Sequence, residues 1–104
     1  MRLLVVSKSV HPLPMEATGM LLEAMRGWVR QNTANKKMEQ SFGFAGLPGG
    51  GGILNVNTLE ELDAVMAEYP LGPFSDTQIY PLTDLDRSLS NALGVVKKMT
   101  PPKA

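Results

Sequence analysis

His11 is the one histidine of the sequence, and its side chain is the only one whose ordinary pKa lies near neutrality. It stands between Val10 and Pro12, just past an apolar strand pattern, where the end of a sheet often opens to a cleft. There it can act as a general base if a substrate proton comes within hydrogen-bond reach; as a surface residue of a proline loop it would do no chemistry. Tyr80 carries a hydroxyl on a bulky ring, which needs a polar partner when buried. His11 and Tyr80 are the catalytic candidates. Trp28, Met25, Tyr69 and Phe74 offer apolar and aromatic surface for a pocket wall, and methionine adapts to irregular ligands. The alternative for each is ordinary core. Asn55 falls on a strand face that is otherwise apolar, so its amide must find hydrogen bonds, either to a ligand or across a dimer. These five are the substrate-binding candidates.

Other chemistry is thinly represented. Glu39 and Asp76 are isolated carboxylates that read as solvent-facing, and no paired-carboxylate or Ser–His–Asp arrangement is evident. Four consecutive glycines, residues 49–52, could present amides to a phosphate. They lack the Gly-Lys-Ser/Thr ending and the spaced glycine pattern that opens a helix. We therefore read them as a hairpin loop, with a lid over a pocket mouth as a second possibility. The chain has no cysteine, which excludes disulfide scaffolds, thiolate metal sites and cysteine nucleophiles. With one histidine as well, no metal and no cofactor is expected. Ten basic and ten acidic residues cancel, leaving no electrostatic footprint for nucleic acid. No apolar run is long enough to span a bilayer. The expectation is a cytoplasmic protein that binds neither nucleic acid nor membrane.

The elements that would position these residues follow from periodicity. Residues 2–8 are apolar on both faces of a strand, the mark of a central, covered position. A helix over 16–32 carries Leu21, Ala24, Met25, Trp28 and Val29 on one stripe. Residues 38–45 alternate, with Met38, Gln40, Phe42 and Phe44 on one face. Residues 52–57 form another strand, with Leu54 and Val56 opposite Ile53 and Asn55. Thr58 and Glu61 form a capping box for a helix to about residue 69, which puts Leu59, Leu62, Val65, Met66 and Tyr69 on the core side. A fourth strand spans 76–82, and Pro81 makes it an edge strand. Thr83 then caps a last helix to about residue 98. Charge is uneven: residues 1–52 hold six basic and three acidic side chains, and 53–104 hold four and seven. The acidic excess sits mainly on the second helix as a solvated face.

Strand, helix, two strands, helix, strand is the ferredoxin-like α+β pattern, a four-stranded antiparallel sheet in the order 4-1-3-2. Right-handed crossovers put both main helices on one face. The other face is left apolar and open, larger than a soluble monomer tolerates. A second copy packed face to face would cover it, and so would the last helix. Residues 1–100 form one domain, and 101–104 a flexible tail.

Val56-Asn57-Thr58-Leu59-Glu60-Glu61-Leu62, then Tyr69-Pro70-Leu71-Gly72-Pro73-Phe74-Ser75-Asp76, with Ile79 and Leu82, resemble the second half of the muconolactone isomerase-like proteins. These belong to the dimeric α+β barrel superfamily. The resemblance spans about residues 52–82 and carries over no catalytic residue. It implies a homodimer or larger homo-oligomer with a pocket for a small hydrophobic molecule. The reaction it suggests is cofactor-free proton transfer or isomerisation on a lactone, aromatic or polyketide-like substrate. A non-catalytic, homo-oligomeric ligand-binding protein is the alternative.

Overall fold

The computed structural model describes residues 1–99; the tail expected at 101–104 lies outside them. The order is β1 (Arg2–Ser9), α1 (Thr18–Ala34), β2 (Met38–Gly43), β3 (Gly49–Asn55), α2 (Leu59–Ala67), β4 (Ser75–Leu82) and α3 (Leu85–Met99). Short 3-10 turns precede α1 and β4. The sheet runs β2-β3-β1-β4, all antiparallel. That is the ferredoxin-like order, with the doubly apolar strands in the centre and the Pro81 strand at an edge.

Burial separates the two faces. Leu3, Val5 and Ser7 of β1 are buried, and the alternate residues Leu4 and Val6 are only partly so. Val5 packs with Trp28, Met38, Leu54 and Val65, and Met25, Val29, Leu62, Met66 and Tyr69 close around that cluster. One hydrogen bond ties α1 to α2, and a second braces α1 internally beside it. The Trp28 indole N–H donates to the Val65 carbonyl at 3.2 Å, and the buried Asn32 amide donates to the Trp28 carbonyl at 2.8 Å.

Several expected details move. Glycines 49–52 are the first half of β3 and not a loop; the turn between β2 and β3 lies before them, with Gly46 at φ +86°. They extend the strand because each pairs with β1, Gly49 opposite Lys8 through Gly52 opposite Val5. An irregularity between Met38 and Gln40 breaks the period of β2. Met38 therefore faces the helices, while Gln40 and Phe42 turn to the other side. Leu59 opens α2 at 63% exposure, outside the core, and Ala24 is exposed. The cap of α3 is Asp84, whose carboxylate accepts from the Arg87 amide at 2.9 Å, and not Thr83.

The α2 cap is where it was expected. The Thr58 hydroxyl accepts from the Glu61 amide at 3.1 Å. The Glu61 carboxylate reaches back one residue further than a regular capping box, to the Asn57 amide at 3.0 Å. Thr58→Ala should lower stability by about 1 kcal/mol through loss of the N-cap bond. Urea denaturation checks this; an unchanged midpoint would mean that the cap does not hold the helix start.

The open face carries Leu4, Val6, Ile53, Phe42 and, on β4, Gln78, Tyr80 and Leu82, by register. The last helix does not cover it. No residue of α3 is buried, and Leu85, Leu89 and Leu93 are 71%, 54% and 58% exposed. At one end of this face Arg2 grips Glu39 through two nitrogens, 3.0 and 2.8 Å from Oε2, while Asn55 donates to Oε1 at 3.1 Å. Hydrogen bonding from Arg2, chiefly, with its charge and Asn55 adding, holds the Glu39 carboxyl below its ordinary 4.5. A depressed carboxyl pKa contributes stability above that value and loses it as the pH falls.

Candidate active site: a cavity over the glycine strand

Side chains on the helix-covered face shrink along the sheet. At one end Leu3, Leu54 and Met38 lie side by side and fill the space beneath the helices. One step on, the neighbours are Val5, Gly52 and Ser41. At the next step they are Ser7, Gly50 and Gly43. Helix α1 continues over this thinning surface, so a cavity of about 530 Å³ is left between α1 and the sheet. Its floor is largely main chain, the strand of glycines 49–52. Its walls are Met25, Trp28 and Leu22 from α1, with Tyr69, Leu71 and Phe74 from the segment between α2 and β4.

Glycine is required here by geometry. A Cβ at residue 49, 50, 51 or 52 would fall under 3.0 Å from the carbonyl oxygen of Ser7, Phe42, Val5 or Gln40, respectively. No real Cβ approaches so closely. Gly49 also has φ +140°, which L side chains rarely adopt. The same absence of side chains that lets the strands approach leaves the floor bare.

A linked set of hydroxyls is built into this largely apolar wall, which Ser9, Ser41 and Ser75 also line. The Ser7 and Tyr69 hydroxyls are 2.7 Å apart, and the Thr77 hydroxyl donates to Ser7 at 3.4 Å. Ser7 is only 6% exposed. The Tyr69 ring stacks at a tilt on Trp28, with centroids 5.2 Å apart, so its hydroxyl is held by packing on one side and hydrogen bonding on the other. No Asp, Glu, His, Lys or Arg among the described residues lines the cavity. Among the described residues, no three His, Cys, Asp or Glu side chains are placed to hold a metal ion, and no helix is long and apolar enough to cross a membrane.

Four of the residues singled out in the sequence come together here: Trp28, Met25, Tyr69 and Phe74. Three do not. Tyr80 pairs with Leu4 on the open face, and its hydroxyl donates to Gln78 at 2.6 Å, two residues along the same side of β4. Gln78, Tyr80 and Leu82 share that face because the strand has period 2. Asn55 is exposed and bound to Glu39, also on the open face. His11 is exposed; its main-chain N–H donates to the Phe74 carbonyl at 3.1 Å, while the residue itself stays off the cavity wall. His11→Gln should therefore change stability by less than about 0.5 kcal/mol, the usual range for a surface substitution, and should leave turnover unchanged in a steady-state assay.

Ser7 was missed. It ends an apolar run and looks like the polar close of a strand. The signal available was the row of small residues in register: Ser7, Ser41, Gly43, Gly50 and Gly52.

No family model matches the sequence, and no curated protein does. Solved structures do match. Muconolactone isomerase superposes with a TM-score of 0.72 at 20% identity, covering 81% of this chain and 90% of the isomerase. A 5-chloro-2-hydroxyhydroquinone dehydrochlorinase from Burkholderia phenoliruptrix, solved with 2,5-dihydroxybenzoquinone, superposes with a TM-score of 0.66 at 13% identity, covering 84% and 98%. The four-stranded antiparallel sheet with its helices is thus the α+β, ferredoxin-like fold of the muconolactone isomerase-like proteins.

Proposed function

We propose that this protein is a small-molecule enzyme that transfers a proton on a hydrophobic ring substrate, a lactone or an aromatic or polyketide-like ring, in the cavity over the glycine strand. The observation that carries this reading is the Ser7–Tyr69 hydroxyl pair set into a largely apolar, half-open wall. A tyrosine hydroxyl held between a serine and an aromatic neighbour is a donor for the oxygen of a ring carbonyl. Such a bond strengthens as the oxygen gains charge on enolisation, so it favours the transition state over the bound substrate. Water admitted by the open mouth takes the carbon-bound proton and returns one to the ring, so the chain supplies the oxygen donor and water serves as the base. Two structural neighbours act on small molecules by their names, which supports an enzyme.

Deuterium exchange tests the reading. Lactones and cyclic ketones incubated with the protein in heavy water should gain deuterium beside the carbonyl, followed by NMR. Tyr69→Phe should slow exchange by about 10²–10⁴-fold, the usual contribution of a positioned proton donor, with no more than a several-fold rise in KM. Binding without any exchange would favour the second reading, a non-catalytic ligand-binding protein, which the lack of a charged group in the wall also supports.

The functional unit we propose is a homodimer formed through the open sheet face. Its apolar residues Leu4, Val6 and Ile53 are left without cover by α3, and exposed apolar patches of this kind mark interfaces. Light scattering at micromolar concentration should report at least twice the chain mass. Val6→Lys should shift the protein to monomer, because it places an unpaired charge in the interface. A clean wild-type monomer would overturn the dimer.

A further inference from the structure

The cavity combines three features: a floor of bare main chain, apolar walls that include flat rings, and side-chain polar groups that are hydroxyls apart from the Trp28 indole N–H, which is spent on the Val65 carbonyl. We infer that its ligand is an uncharged, flat ring compound carrying a carbonyl or hydroxyl oxygen, and that carboxylated rings are rejected. This rests on the reading of the cavity as the substrate site and narrows its substrate class.

Charge is the first part of the argument. Arg2 and Lys8 of β1 lie on the sheet face turned away from the cavity, and Arg2 is engaged by Glu39; on α1, Arg26 is paired with Glu23. No Lys, Arg or His contributes to the wall. A carboxylate brought in would lose hydration with no countercharge in return, which is costly in an apolar site. A neutral carbonyl needs only one donor.

That donor has a definite source. Thr77 donates to Ser7. When Ser7 donates a hydrogen bond to the Tyr69 oxygen, 2.7 Å away, the Tyr69 O–H is left without an acceptor among the described residues. It is the terminal donor of a three-hydroxyl relay, and the relay polarises it. The relay ends in the cavity, where Tyr69 is part of the wall. A ligand oxygen is the acceptor that completes it.

Shape is the third part. Gly50 and Gly52 lie on the cavity side of β3 beside Ser7 and Val5. No side chain stands up from those two positions, so a planar ring can lie against the strand while Trp28 and Phe74 enclose it. A bulkier, branched ligand would forfeit that contact.

A matched pair tests this: 4-hydroxybenzamide and 4-hydroxybenzoate have nearly the same shape and differ by one negative charge. Binding is followed by the fluorescence of Trp28, the one tryptophan of the chain, and by calorimetry. The amide should bind at least tenfold more tightly, and Tyr69→Phe should weaken it several-fold while leaving the fold intact by circular dichroism. Leu22→Arg, which places a cation at the exposed rim of α1, should shrink or reverse the preference. Equal or tighter binding of the benzoate by the wild type would overturn the inference while leaving the cavity as the site. Failure of both ligands to perturb Trp28 at millimolar concentration would overturn the inference and the cavity reading together.

Discussion

Gly51→Ala should unfold the protein at room temperature or lower its stability by at least about 3 kcal/mol, the upper end of ordinary overpacking costs. The new Cβ would lie under 3.0 Å from the Val5 carbonyl oxygen and from Cε2 of Phe42. The ring can turn away; the carbonyl belongs to the central strand and cannot move without breaking the β1–β3 ladder. Gly50→Ala meets the Phe42 carbonyl in the same way from the other side. The control is Gly27→Ala in α1. Nothing lies within 4 Å of a Cβ there, and alanine is favoured over glycine in a helix by about 1 kcal/mol, so this variant should be more stable than the parent. Chemical denaturation of the three variants separates close strand approach from a general sensitivity to side chains. Equal effects at residues 27 and 51 would contradict it.

Trp28→Ala should cost about 3–5 kcal/mol, the range for truncating a buried large aromatic. The side chain is at the centre of the core cluster and is the wall shared by core and cavity. Its removal opens a hole continuous with the cavity, and water or ligand can enter instead of the surrounding chain collapsing. Trp28→Phe keeps most of the packing and loses the indole bond to the Val65 carbonyl, a net loss of about 1 kcal/mol for one hydrogen bond. That carbonyl still accepts from the Glu68 amide, so it is not left bare. Thermal melts that place the two variants at the same stability would show that packing by Trp28 does not hold α1 to α2.

The fold was legible because its signals are local. Leu3, Leu4, Val5 and Val6 announce a central strand, and Thr58 with Glu61 announces a helix start; both are where the pattern put them. Four glycines in a row carry no periodicity at all, so a loop was the natural reading. Their strand conformation is imposed from outside, by β1 on one side and β2 on the other. The displaced face of β2 has a similar origin, since one irregularity after Met38 reverses every later residue.

The site was half legible. Large rings on α1 and after α2 identify one wall without knowledge of the other. Tyr80 was assigned by strand neighbourhood, which is right, but neighbourhood does not give the face; Gln78, two residues earlier, already argued for the open side. Ser7 and the glycines are a signal of absence, small residues in register on three strands, and register is a tertiary fact. His11 was singled out for its chemistry and its place at the end of a central strand, but the proline-bounded loop holds it at the surface.

The central claim, that the cavity between α1 and the glycine strand is the ligand site, is tested most directly by an amide-resolved NMR titration with 4-hydroxybenzamide. The account predicts shifts of the Ser7, Gly50, Gly52 and Tyr69 amides and of the Trp28 indole N–H, saturating together, with Asn55 and Tyr80 on the open face unmoved. Shifts confined to the open face or to α3, with the Trp28 indole unchanged at saturation, would contradict it.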